Sequence, residues 1–286
     1  MRRHKLLIFM LLSLVVSTTA LEGQVVYGQF LGVGEERVLQ VVRVNEEDAG
    51  VIAELADVDE ARDLALTPDG YYAALWYSRD GDDWIRIISL REETVVSHED
   101  FPGADPHWTD LRELCYRRDC GLWRWSGRDE PELVAERVGA GCILVEHKML
   151  YYNKLEIADW VFYRRMLDDE GGDGFEEPLI GAAEPFLQPE LVGERLLLSG
   201  PRGLWAWEAG TAEFVKILEF EDLRPRCPTA EWEGAGIAYL LAGEGAVFLL
   251  TAEDEDAVLF ETPTPPTVLD WGPIPPPPPL SGYEVR

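Results

Sequence analysis

The chain has 286 residues, with 54 Asp and Glu against 25 Lys and Arg, for a formal charge of −29. Such a charge repels nucleic acid and anionic lipid and argues against both as partners. Hydrophobic residues make up 47% of the chain and include ten Trp, so a core can form and global disorder is excluded.

The N-terminus has the three parts of a secretory signal. Arg2, Arg3, His4 and Lys5 form a basic start, Leu6 to Val16 an apolar run, and Ser17-Thr18-Thr19-Ala20 a small-residue exit. The run is shorter than the ~20 residues a spanning helix needs. Cleavage after Ala20 would leave 266 residues with a charge of −32, in a periplasmic or extracellular setting. The chain then divides into a signal peptide (1–20), a β domain (21–272) and a Pro-rich tail (273–286).

After the signal come three β-prone runs, Val25 to Leu31, Arg37 to Val44 and Gly50 to Leu55. A clearer unit follows: Asp63 to Leu66, the turn Thr67-Pro68-Asp69-Gly70, Tyr71 to Tyr77, the turn Ser78-Arg79-Asp80-Gly81, Trp84 to Leu90, and Thr94 to Ser97. Four short strands between Pro, Asp and Gly turns, in about 40 residues, are the signature of a propeller blade. Later copies begin at Asp105, Cys142, Glu184 and Thr229, with first strands ending near Trp108, Val145, Leu187 and Trp232. Their third strands include GLWRW (Gly121 to Trp125), Trp160 to Arg164 and GLWAW (Gly203 to Trp207). Alternation puts Trp123 with Trp125, and Trp205 with Trp207, on one face, where they would pack between blades.

A last strand, Thr267 to Trp271, completes the three N-terminal runs as a sixth sheet. Anchors Leu66, Trp108, Val145, Leu187, Trp232 and Trp271 are 42, 37, 42, 45 and 39 residues apart. The expected fold is all-β: a six-bladed β-propeller of four-stranded antiparallel blades, its ring closed by the C-terminal strand in the N-terminal blade. The turn and strand Leu64 to Ala74, read through Thr67-Pro68-Asp69-Gly70, resemble those of TolB-type, WD-repeat-like propellers. That resemblance implies a fold and transfers no activity.

Catalytic and metal motifs are sparse. There is no GxSxG, and Ser199-Gly200-Pro201 reads as a turn. Ser78 to Trp84 is one residue short of a sialidase Asp-box and reads as a hairpin. Asp80 to Asp83 and Asp168 to Glu170 lack the spacing of an EF-hand loop. His98, His107 and His147 show no ligand pattern, so neither metal nor cofactor is expected. Of the four cysteines, Cys115 and Cys120 are the expected disulfide, at a hairpin tip; Cys142 and Cys227 form a distant remaining pair.

First strands line a propeller's channel. Asp63, Asp105 and Glu184 each lie three residues before an anchor, and Cys142 holds that place in another copy. They are the candidate binding residues, an acidic ring at one channel mouth suited to a cation or a basic peptide end. The expected function is an exported, non-catalytic scaffold for a protein or peptide partner, a basic one suiting the charge. A carbohydrate-active hydrolase using a carboxylate pair is the alternative, and a structural envelope component the second. Five consecutive prolines, Pro275 to Pro279, make the tail a polyproline II spacer or docking peptide.

Overall fold

The structure is a computed structural model that describes residues 23–273, apart from 33, 35–36, 46–48, 91–99, 110, 146–147, 168–172, 193–194, 209–212, 221–224, 231–235, 242 and 252–255. The signal segment, the prolines 275–279, His98, His147, Trp232, residues 168–170 and the strand expected at 94–97 lie outside the described residues.

Six four-stranded antiparallel sheets follow one another along the chain. Blade 1 orders as β24-β1-β2-β3, joining β1 (Gln24–Leu31), β2 (Val38–Val44) and β3 (Ala49–Ala56) to the last strand, β24 (Pro266–Gly272). Blade 2 holds β4 (Glu60–Leu66), β5 (Tyr72–Arg79), β6 (Asp82–Ser89) and β7 (Phe101–Pro102). Blade 3 holds β8 (Ala104–Trp108), β9 (Leu114–Arg118), β10 (Gly121–Trp125) and β11 (Glu132–Glu136). Blade 4 holds β12 (Ile143–Val145), β13 (Met149–Glu156), β14 (Asp159–Leu167) and β15 (Asp173–Ala182). Blade 5 holds β16 (Leu187–Val192), β17 (Arg195–Gly200), β18 (Gly203–Glu208) and β19 (Glu213–Glu219). Blade 6 holds β20 (Pro225–Ala230), β21 (Gly236–Leu241), β22 (Ala246–Thr251) and β23 (Asp256–Glu261).

The ring closes as the sequence suggests. In β24, Trp271, Asp270 and Leu269 pair with Val25, Val26 and Tyr27. Closure is fastened by Gln24, whose amide donates to the carbonyls of Gly70 and Pro273, 2.9 Å each. Gly70 ends the Thr-Pro-Asp-Gly turn with φ +70, and a Cβ there would meet the Pro273 oxygen at 2.1 Å, so only glycine fits.

Every junction between successive blades carries a polar tie. Leu66 N–H donates to Asp270, and the Trp108 indole to the Ala65 carbonyl. Leu144 N–H donates to His107, and Phe186 N–H to Asn153. The Ser199 hydroxyl donates to the Pro225 carbonyl, and the Thr229 hydroxyl to Asp270. Apolar side chains fill the space between. Trp123 and Trp125 pack with Trp76, Ile85 and Tyr116 between blades 2 and 3. Trp205 and Trp207 pack with Tyr151, Phe162 and Phe186 between blades 4 and 5. The repeated tryptophans are mortar between blades, each burying a large apolar area.

Five of the six inner strands, all but β12, carry a β-bulge. Along β8, Ala104 faces Arg117 and His107 faces Cys115, which leaves one residue extra. The slip recurs in β16 (Leu187 to Glu190), β20 (Arg226 to Thr229), β4 (Ala61 to Asp63) and β24 (Pro266 to Val268). Three bulges are X-Pro pairs whose first residue is left-handed: Asp105 (φ 50), Gln188 (φ 51) and Cys227 (φ 48). Proline is tolerated because the inner strand is a sheet edge, with one row of N–H groups facing the channel. The same prolines displace two expected strands. β16 begins at Leu187 rather than Glu184, and β20 runs Pro225–Ala230 rather than starting at Thr229.

The Cys115–Cys120 disulfide is not formed; all four cysteines are free. The expected hairpin tip exists, but it is Asp119-Cys120, and Cys115 sits three positions along β9 from Arg118, which pairs with Gly121. At ~3.3 Å per residue this puts the two cysteines roughly 10 Å apart, beyond the ~7 Å Cα limit of a bridge. Cys115 is buried between blades 3 and 4, whereas Cys120 is exposed.

Candidate functional site

The inner strands enclose a cavity of about 330 Å³ lined by segments of β4, β8, β12, β16, β20 and β24. Its walls carry Asp63, Glu190 and Asp270, with Gln188, Cys227, Thr229, Trp108 and Trp271 beside them. Of the three residues expected there, only Asp63 lines it. Asp105 is buried behind the wall, where its carboxylate takes a 2.6 Å hydrogen bond from the Arg117 guanidinium. Glu184 is exposed in the connection before β16. The bulge register explains the difference: Gln188, not Glu184, occupies the place of Asp105.

Gln188 closes one end of the channel. Its side-chain oxygen accepts Cys227 N–H at 2.8 Å, and its amide donates to the Arg62 carbonyl at 2.8 Å and to the Cys227 sulfur at 3.1 Å. Arg62 belongs to blade 2 and Gln188 to blade 5, opposite members of a six-blade ring, so the side chain spans the axis. From that floor β4 runs through Asp63 to Thr67 and Pro68 at the mouth. Gln188 holds a left-handed backbone (φ 51), at a cost of roughly 1–2 kcal/mol for a non-glycine residue.

Above the floor, one position on the inner strands has a common task. His107 Nε2 accepts Leu144 N–H at 2.9 Å, Thr229 Oγ1 accepts Trp271 N–H at 3.2 Å, and Asp270 Oδ2 accepts Leu66 N–H at 2.5 Å. Each binds the backbone of the following blade. Accepting at Nε2 leaves the His107 proton on Nδ1, and burial lowers its pKa to about 4, so the ring is neutral. Glu190 holds the equivalent position in β16 and receives no hydrogen bond from any described residue.

Electrostatics set the three carboxylates apart. Burial raises Asp270 to about 6, against hydrogen bonds from Leu66, Thr229 and Trp271 that favour the anion. Burial, then the charges of Asp270 and Asp63, push Glu190 well above the usual carboxylate range. Burial also pushes Asp63 well up, opposed by Leu64 N–H and assisted by Asp105 and Asp270. The cavity is thus acidic, polar at its floor and rich in stored proton affinity. Among the described residues no group of His, Cys, Asp and Glu is arranged to hold a metal ion.

Glu190, Asp270 and Gln188 escaped the sequence reading, though a signal was present. Aligning Asp105-Pro106, Gln188-Pro189 and Cys227-Pro228 puts His107, Glu190 and Thr229 in one column.

No known family's sequence profile matches the chain, and no curated protein matches it in sequence. Solved structures match its fold. TolB from Acinetobacter baumannii superposes with a TM-score of 0.69 at 13% identity, covering 90% of this chain and 68% of that one. A chain of the nidogen/laminin complex gives 0.62 at 10% identity, covering 86% and 97%. A Bacteroides thetaiotaomicron protein of unknown function gives 0.57 at 10% identity, covering 88% and 86%. At these identities the likeness extends to the six-bladed β-propeller architecture and no further.

Proposed function

We propose that the protein is an exported, non-catalytic propeller scaffold that binds a protein or peptide partner at the acidic mouth of its channel. The observation that carries this reading is the cavity within the inner strands, whose wall presents Glu190, with no hydrogen bond from a described residue, beside Asp63 and Asp270. The surface charge supports it. The chain's few cations are largely spent within and between blades: Arg86 on Asp100 at 2.5 Å, Arg118 over Trp123 at 4.0 Å, Arg117 on Asp105. The acidic excess is left to draw in a basic partner. Residues 1–20 act as the export signal, which N-terminal sequencing of the protein from the periplasm or medium checks.

The test is affinity capture from that compartment with immobilised wild-type protein and with Glu190→Lys. A saturable partner lost with Glu190→Lys, and kept when exposed Asp129 is reversed to Lys, supports the reading. A partner held equally by Glu190→Lys removes the channel from the function. A hydrolase is the second reading, favoured by Glu190, pushed toward its protonated form, facing a cavity shared with Asp270, which ionises more readily. Turnover of a glycoside substrate, abolished by Glu190→Gln, would install it instead.

A further inference from the structure

We propose that the rim of the channel opposite Gln188 is a docking surface for the chain's own proline-rich segment, residues 274–286, which follows the last described residue and lies across that rim. Such a cap does not depend on a partner for the channel.

The point where the segment departs is fixed. β24 ends at Gly272, and Pro273 lines the cavity. The Gln24 amide donates to the carbonyls of Pro273 and Gly70, 2.9 Å each, so the chain leaves beside the turn that follows β4. That turn is closed by Thr67 N–H on the Tyr72 carbonyl at 2.9 Å. It is also tied to the next blade, because Asp69 pairs with Arg112 at 3.0 Å. Residue 274 therefore starts on the rim itself. The ten residues 274–283, at the ~3.1 Å rise of polyproline II, reach about 31 Å. Neighbouring inner strands stand roughly 10 Å apart, as packed sheets do, which makes a six-strand ring about 20 Å across. The segment is long enough to cross it.

The rim offers what such a segment needs. Leu111, Tyr72 and Leu191 are 68%, 41% and 38% exposed there, and Pro68 and Trp108 line the cavity beside them. Leu111 precedes Arg112, so the Asp69 ion pair sets it next to the Pro68 turn. Five consecutive prolines, Pro275 to Pro279, favour an extended form that loses little entropy on docking to apolar and aromatic side chains. Charge agrees. Ile274 to Tyr283 contains no ionisable acid or base except the Tyr283 phenol, in a chain of formal charge −29. The carboxylates of the cavity do not repel it, as they would repel an acidic segment.

Isothermal titration with a synthetic peptide of residues 274–286 tests this. It is titrated into the full-length chain and into a chain ended at Pro273 whose near-ultraviolet dichroism matches. The shortened chain should bind one peptide. The full-length chain should bind it at least about tenfold more weakly, because its own segment holds the rim at an effective concentration of the order of millimolar. Leu111→Asp in the shortened chain should weaken binding about tenfold or more, the affinity equivalent of burying one leucine. Val215→Asp, on the outer strand β19, should not change it. A peptide with glycine in place of Pro275 to Pro279 should not bind. In the full-length chain the same glycine replacement should raise hydroxyl-radical labelling of Leu111 and Tyr72 several-fold and leave Val215 as it was. Absent peptide binding, equal binding by the two chains, indifference to Leu111→Asp, or unchanged labelling each overturns the proposal. Full-length chains that pair in sedimentation equilibrium, and separate when ended at Pro273, would make a second copy's segment the occupant and overturn the cap within one chain.

Discussion

Ending the chain at Pro265 removes β24 and with it the innermost strand of blade 1. Val268, Leu269 and Trp271 are buried on that strand, at 0%, 2% and 5% exposure. Each such side chain contributes about 1.5–3 kcal/mol by burial, or roughly 5–9 for the three. The deletion also strips Asp270 from Leu66 N–H and Thr229, two of the ties that hold blades 2 and 6 to blade 1. Leaving one buried donor unmet costs about 1–3 kcal/mol more. The sum reaches the whole stability of an ordinary domain, ~5–15 kcal/mol. The truncated chain should therefore lose its cooperative urea transition, followed by Trp fluorescence, and its near-ultraviolet dichroism. A synthetic peptide of residues 266–273, added in excess, should restore both by re-forming the edge beside β1. A truncated chain that unfolds at the wild-type urea midpoint with the wild-type slope would refute ring closure by β24 as a determinant of stability.

Three further outcomes follow from particular groups. Gly70→Ala puts a methyl group against the Pro273 carbonyl at a left-handed φ and should lower stability by at least about 1 kcal/mol, read as a fall in Tm. Burial raises the pKa of Glu190 and Asp63 well above, and that of Asp270 to about 6, against unfolded values near 4. The native chain therefore keeps protons the unfolded chain has lost, and these groups favour folding most below pH ~4 and progressively less as pH rises through their folded values. Glu190→Gln should thus raise the urea midpoint at pH 8 and make a shrinking difference toward pH 4.5; a larger gain at low pH would reverse the assignment. In a thiol titration of the native protein Cys120 should react promptly, while Cys115, Cys142 and Cys227 should wait for denaturant, because burial raises all three thiols.

The parts of the ring that could be read from the residues are those where a local rule and the fold agree. Asp80-Gly81 closes β5 onto β6 with two positive φ angles, as a two-residue hairpin demands. GLWRW and GLWAW are third strands because their alternation suits a sheet packed on both faces. The inner strands break the rule. Proline inside an apolar run argues against a strand everywhere except at an edge, and edge status is a property of the closed ring that no window of sequence carries. The expected first strand of blade 5, Glu184 to Leu187, starts three residues before β16 and puts Glu184 where Gln188 belongs. The same bulges make the site. In blade 5 the left-handed residue before proline, Gln188, reaches across the axis to Arg62, and in blades 3 and 6 the polar residue after the proline sits against the neighbouring blade. In blades 3 and 6 that side chain finds a backbone N–H; in blade 5 it is a carboxylate with none from a described residue. The feature that obscured the strands in sequence is therefore also the one that floors the channel and leaves Glu190 facing it.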